Sequence, residues 1–324
     1  MGGRTLRLAL AGDAMLGRGV ADRLREQPPA SLFSPEVVEV ARSADLFVLN
    51  LECCISERGE PWPDPRKPFF FRAPPQAVEA LVLLGADCVT LANNHALDFG
   101  EEALLDTLDH LAAAGIASVG AGPGLEVARR PAVLEARGFR LAVVGATDHP
   151  EAFAAGPQKP GVAYADLRQE VPGWLTRAID AAARDVDAVL VTPHWGPNMR
   201  PDPVDRVRRA APVLLDAGAA LVAGHSAHVF QGVSKPVLYD LGDFIDDYAV
   251  DANLRNDLGL LWLVELGSDG PTRIEAVPLR LDFCHTRLAE GPDRDWITAR
   301  LRDACAEFGS QVTDEDARLV VTAG

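Results

Sequence analysis

The amino-acid sequence predicts an α/β layered fold. Three observations lead there. Short apolar runs recur along the chain, each stopped by Gly, Asn, Asp or His. Helix-period patterns fill the intervals between several of them. Hydrophobic residues make up 48% of 324 positions, enough for a large core and too much for a disordered chain.

Taken in order, the run 6–11 ends at Gly12 and Asp13, and 46–49 ends at Asn50-Leu51-Glu52. The run 88–92 ends at Asn93-Asn94-His95, and 140–144 ends at Gly145, with Asp148 and His149 just beyond. The run 188–191 leads to His194-Trp195-Gly196, and 220–223 leads to Gly224-His225. Runs this short, bounded by turn residues, read as buried strands. Helical patterns cover 101–114, with Leu104, Leu105, Leu108 and Leu111 on one face, then 167–184 and 204–217. Segments 236–241, 258–266 and 273–281 read as strands with little helix between them, so the second half is expected to be more antiparallel. The stretch 61–75 is proline-dense and reads as a loop or extended excursion. The tail from 293 to 324 reads as one helix and a strand-like end.

The chain carries 31 Lys+Arg against 47 Asp+Glu, a formal net charge of −16. That balance argues against nucleic-acid binding, which needs a basic stripe to meet phosphates. The first sixteen residues lack the apolar stretch of a secretory signal, and no run approaches the ~20 apolar residues of a transmembrane helix. The five cysteines are odd in number, and Cys53 and Cys54 are adjacent, which disfavours a disulfide framework. A reduced, cytoplasmic protein is the expectation.

Ligands of α/β sheets bind beyond the carboxyl ends of strands. Asp13, Glu52, Asn94-His95, His194 and His225/His228 all fall at such ends. Each alone reads as a turn, a helix cap or a satisfied core residue. Their repetition at five strand ends points to a metal centre. A mixture of carboxylates and imidazoles suits Mn, Fe or Zn better than Ca. Two carboxylates with several histidines can hold two ions, the arrangement used in phosphoester hydrolysis.

The ordered series Gly12-Asp13-Ala-Met-Leu-Gly-Arg18, Asn50-Leu-Glu52, Leu91-Ala-Asn-Asn-His-Ala-Leu-Asp-Phe-Gly100, His194-Trp-Gly196, Gly224-His-Ser-Ala-His228 and Leu238-Tyr-Asp-Leu-Gly-Asp-Phe244 resembles the CapA family. That family is named for capsular poly-γ-glutamate synthesis and belongs to the calcineurin-like metallophosphoesterases. The resemblance implies a four-layer α-β-β-α sandwich over residues 1–285, with 286–324 as a C-terminal helical extension. It implies two divalent ions (Mn, Fe or Zn). Asp13 would ligate the first, Glu52 would bridge, and Asn94, His194 and His225 would hold the second, with His228 returning to the first. His95 would act on the leaving group as a general acid or charge stabiliser. Asp98 would orient His95 and raise its pKa. Arg18 would either meet a substrate anion or form a surface ion pair.

The sequence departs from the pattern in three places. The superfamily's Asp-x-His is Asp13-Ala14-Met15, which removes one ligand of the first ion. His225 and His228 stand three apart instead of two, so either the loop bulges or only one of them binds. Leu-Gly-Asn-Phe is Leu241-Gly242-Asp243-Phe244, followed by Asp246 and Asp247, whose carboxylates either supplement the site or form a solvated acidic loop. His149 and Trp195 read as pocket-lining or structural, and Cys53 and Cys54 as buried hydrophobes or soft ligands. Three functions remain open: a metal-dependent phosphoesterase acting on a small or anionic substrate, a factor in poly-γ-glutamate synthesis or γ-amide cleavage, and a non-catalytic binding protein with a degraded site.

Overall fold

The computed structural model describes residues 4–323. Its α/β character is the expected one. The strand Leu6–Ala14 runs through the middle of the larger sheet. On one side it pairs in parallel with Leu46–Leu51, which is followed by Cys88–Thr90 and Ala117–Val119, also parallel. On the other side it meets Leu258–Gly267 antiparallel, and the sheet continues through Gly270–Asp282, Arg318–Ala323 and Ser310–Glu315. The second sheet has Phe139–Thr147, Ala188–His194, Leu221–Ala223 and Val237–Leu238 in parallel, with the antiparallel strands Ala132–Ala136 and Val233–Ser234 at its edges.

Strand periodicity sorts the side chains into separate cores, because alternate residues face opposite sides. Leu6, Leu8 and Leu10 pack against Leu141, Val143 and Leu190, between the two sheets. Ala9 and Ala11 face the other way, onto Val20, Val37 and Leu81 of the helices Arg18–Glu26, Pro35–Arg42 and Ala77–Leu84. Val144, Val189 and Val191 pack on Leu175, Ile179 and Leu214 of the helices Gly173–Ala183 and Asp205–Asp216.

Several boundaries differ from the sequence reading. The helix expected from 167 begins at Gly173, after Pro172. Proline disfavours helical geometry in the residue before it and serves well at a helix start. The helices Arg18–Glu26 and Pro35–Arg42 were not foreseen: they bury only three and two residues respectively, too few to set a period. Ser34 caps the second of them by accepting from the Val37 amide, 3.4 Å. Residues 286–323, expected as a helical extension, contain the helix Gly291–Ala306 and also the hairpin that prolongs the larger sheet. Ile297, Leu301 and Cys305 of that helix lie in the core shared by the two sheets. Among the described residues, no helix is long and apolar enough to cross a membrane.

Candidate metal centre

Strand ends from both sheets converge on one buried cluster. Asp13 is the penultimate residue of Leu6–Ala14, Glu52 follows Leu46–Leu51, and His194 ends Ala188–His194. These strands run past their apolar stretches because the backbone ladder continues under the polar side chains. His194 and His225 are bridged through their backbones. The short strand Asp243–Ile245 pairs in parallel with the end of Leu6–Ala14, so that Asp243 stands opposite Asp13. The two chains approach so closely at Gly12 and Gly242 that a Cβ on Gly12 would fall 1.7 Å from the Gly242 carbonyl oxygen. The Asp13 amide donates to that same oxygen, 2.9 Å.

Asp13 and Glu52 each divide their two oxygens between two sets of histidines. Asp13 Oδ1 lies 3.2 Å from His225 Nδ1, and Oδ2 lies 3.4 Å from His228 Nδ1. Glu52 Oε1 lies 3.4 Å from His194 Nε2, and Oε2 lies 3.8 Å from His228 Nδ1. His228 Nδ1 is also 2.8 Å from Asp243 Oδ1. One ligand atom each from Asp13, Glu52, His228 and Asp243 lies within 4.8 Å of every other, and all four residues are buried. Glu52 Oε2, Asn94 Oδ1 and His194 Nδ1 are buried without a hydrogen-bond partner. Unsatisfied buried acceptors of this kind are what a cation would complete, so the donor set fits divalent metal.

The three-residue spacing of His225 and His228 is accommodated by the backbone. Ser226 and His228 take positive φ, 109° and 58°, which turns the loop and carries both imidazoles onto Asp13. Ser226 Oγ donates to the Gly196 carbonyl (3.0 Å) and the Ala227 amide to Asp240 Oδ2 (2.8 Å), so other contacts hold the unusual conformation. Asn93, in contrast, is structural. It accepts from the His95 amide and donates to Asn50 Oδ1 and the Leu51 carbonyl. Asn50 in turn donates to Asp13 Oδ1, 2.8 Å.

Burial and charge set the protonation of the cluster. Burial raises Glu52 and Asp243 well above ordinary carboxyl values, with Asp13 adding to the first and Asp246 to the second. Burial would raise Asp13 too, but its hydrogen bond to His225 and the neighbouring imidazoles hold it low. Burial alone would lower His228; the charges of Glu52 and Asp13 outweigh it and raise the imidazole. His194 is lowered well below its ordinary value, by burial and then by His149.

His95 and Asp98 form a dyad beside the cluster, with Nδ1 2.6 Å from Asp98 Oδ2. Asp98 also accepts from the Phe71 amide (2.6 Å), and its Oδ1 lies 2.8 Å from Lys67 Nζ. Phe71 stacks on the His95 ring at 4.0 Å between centroids. Asp98 holds the Nδ1 side of the His95 ring, but the expected rise in the His95 pKa does not occur. Burial outweighs Asp98 and pulls His95 down to about 4.

Arg18 lies part-buried against Asp247, with Nε 2.9 Å from Oδ1 and Nη2 on the same carboxylate. That edge of the guanidinium is therefore taken, which leaves its Nη1 side for a substrate anion. Arg18, Phe69, Phe71 and Tyr248 line a cavity of about 460 Å³ that reaches His95 and His228. A second cavity, about 380 Å³, is lined by Lys67, Asn94, His149 and Phe153. His149 is thus pocket-lining, packed 5.1 Å from the His194 ring and bonded to Asp148.

The reading of Asp246 and Asp247 as a solvated acidic loop is overturned: Asp246 is 7% exposed, and Asp247 is held by Arg18. Met15 is buried in the apolar core, its sulfur accepting from the Gly17 amide. Trp195 is also core, donating to the Tyr239 carbonyl. Cys53 and Cys54 are fully buried with thiols pushed upward by burial, Cys53 to about 12, so neither offers a thiolate. Asp243 was marked in the sequence only as a departure from the pattern, not as a ligand, and Lys67 was not singled out. The Asp243-for-Asn departure was the available signal for the first, and nothing marked Lys67 within its proline-dense loop.

A family model described as bacterial capsule synthesis protein PGA_cap matches residues 7–248. A probable polyglutamine synthesis accessory protein of Mycobacterium tuberculosis is 34% identical over 300 residues, covering 86% of this chain and 77% of its own. The PGA biosynthesis protein CapA of Bacillus subtilis is 30% identical over 280 residues, covering 85% and 71%. A hypothetical protein from Thermus thermophilus, 17% identical, superposes with a TM-score of 0.50 over 86% of this chain and 100% of its own, a likeness of fold. With three quarters of its length under the family model and relatives this close, the chain belongs to the bacterial capsule synthesis protein (PGA_cap) family.

Proposed function

We propose that this chain is a metal-dependent hydrolase with a two-ion centre, acting as a phosphoesterase. The observation that carries the reading is the division of Asp13 and Glu52 between two histidine sets, with buried acceptors left unpartnered around them. On this reading Asp13, Glu52 and His228 would hold one ion, and Asn94, His194 and His225 would hold the other. Bound ions would supply Lewis-acid polarisation of the scissile group and neutralise charge developing on it.

The protein's own residues do the remaining work. His95 donates Nδ1–H to Asp98, which leaves Nε2 to face substrate. With its pKa near 4, that nitrogen is unprotonated at neutral pH in the free protein. An anionic substrate in contact with it favours the protonated form, which turns the imidazole into a hydrogen-bond donor to the leaving oxygen. Lys67 holds Asp98 from the far side, and Phe71 fixes the plane of the ring. Two divalent ions would more than neutralise Asp13 and Glu52, so a chain of net charge −16 could still admit an anion there.

A second reading rests on the names of the relatives, which place them in capsule and polyglutamine synthesis. There the same centre would cleave or transfer a γ-linked amide. One assay separates the two. Mn2+-loaded protein is offered aryl phosphodiesters and monoesters in one arm and poly-γ-glutamate in the other. Turnover of the esters, lost in Asp13→Asn and Glu52→Gln, supports the phosphoesterase. Polymer cleavage alone supports the second reading. Metal bound without turnover in either arm points to a binding protein and rejects both.

A further inference from the structure

We propose that Asp243 is a direct ligand of the ion on the Asp13–Glu52–His228 side, and that it makes this half of the centre selective for a hard divalent cation such as Mn2+. The inference rests on the metal-centre reading above and adds to it a residue and a metal class.

The placement is built into the backbone. The close approach of Gly12 to Gly242 brings Asp243 into register with Asp13 across two parallel strands. Asp243 Oδ1 lies 2.8 Å from His228 Nδ1, and that nitrogen is also within 3.4 Å of Asp13 Oδ2 and 3.8 Å of Glu52 Oε2. One imidazole nitrogen thus looks into a space bounded by three carboxylates. With metal–ligand bonds of about 2.0–2.2 Å, ligands opposite one another on one ion stand roughly 4.0–4.4 Å apart. The mutual separation here, within 4.8 Å, suits one coordination sphere.

The charge balance points the same way. Among the described residues, Asp13, Glu52 and Asp243 pair only with histidines, and no Lys or Arg nitrogen lies within ion-pair distance of them. Arg18 is engaged by Asp247, and Lys67 by Asp98. Glu52 is fully buried, with Oε2 unpartnered and aimed at this space. Buried carboxylates of this kind are paired or coordinate metal. Three carboxylates and one imidazole form an oxygen-rich set, which suits Mn2+. The side formed by His194, His225 and Asn94 is richer in imidazole and suits Zn2+ or Fe2+.

The test is a crystal structure of the Mn2+-soaked wild-type protein with anomalous data, together with Mn2+ and Zn2+ titrations of wild type and Asp243→Ala. The expected result is a manganese peak with an Asp243 oxygen about 2.0–2.6 Å away. Asp243→Ala, which removes the oxygen ligand, is expected to weaken Mn2+ binding by more than the roughly 10–100-fold that loss of an outer hydrogen bond costs, while Zn2+ binding changes far less. A manganese ion on Asp13, Glu52 and His228, with Asp243 beyond about 3 Å and a smaller affinity loss, overturns the inference and leaves the metal centre standing. Wild-type protein that holds no Mn2+, Zn2+ or Fe2+, in the crystal or by elemental analysis, overturns the metal centre itself. The wild-type crystal decides the matter even where the variant does not fold.

Discussion

Asp98→Asn is the substitution whose consequences the structure specifies most closely. The Asp98 side chain is fully buried and meets three donors at once: His95 Nδ1, the Phe71 amide and Lys67 Nζ. Asparagine keeps the shape but has one acceptor oxygen and a donating amide. Either the amide meets the Lys67 ammonium, or it meets His95 and the Phe71 amide. Lys67, whose side chain is only 13% exposed, is stranded in the first case and loses its full counter-charge in both. Breaking a buried ion pair from one side costs about 3–5 kcal/mol. At about 2 °C per kcal/mol for a chain of this size, the melting temperature falls by roughly 6–10 °C. Adding Lys67→Met removes the stranded charge, and the pair is expected to couple by about 0.5–3 kcal/mol. Thermal and urea unfolding of metal-free wild type, both single variants and the double variant close the cycle. A loss under about 1 kcal/mol in Asp98→Asn, or strict additivity in the double variant, would falsify the reasoning.

Three further outcomes follow from the same geometry. Mn2+ at a hundredfold excess over its dissociation constant is expected to stabilise the wild type by about 2.7 kcal/mol, reversed by chelator, and the Asp13→Asn/Glu52→Gln double variant should lose that gain; an equal gain in both sinks the assignment. In chelator, the stability of wild type relative to Asp246→Asn is expected to fall as pH rises from about 4 to 6, because Asp246 is raised by burial from 3.8 to about 6 and the folded state holds a proton there that the unfolded chain releases; the variant comparison removes the opposite contribution of His95 and His194, which burial lowers. That displacement amounts to about 3 kcal/mol at 1.36 kcal/mol per pH unit, and a difference in urea stability between wild type and variant that stays flat or rises across the window contradicts it. Gly12→Ala places a methyl 1.7 Å from the Gly242 carbonyl oxygen and is expected to abolish soluble expression or cost more than about 4 kcal/mol; a melting temperature within two degrees of wild type, measured by circular dichroism, refutes the close approach.

The sequence by itself determined the α/β class and most of the ligand candidates. Both rest on local information. A buried strand is a short apolar run, and a residue such as His194 or Glu52 is conspicuous because it interrupts or follows one. The order of such interruptions also carried the family likeness. What the sequence left open were relations between distant positions. The pairing of Asp13 with Asp243, of Arg18 with Asp247 and of Asp98 with Lys67 depends on sheet register and loop path. The turn that brings both His225 and His228 to Asp13 depends on backbone angles that Ser-Ala spacing does not announce. Protonation was decided last. Asp98 beside His95 argues for a raised pKa when only the neighbour is known, and for a lowered one once burial is included. Charge can be counted along the chain, but its energy depends on how much water the fold leaves around it, and tertiary structure alone sets that.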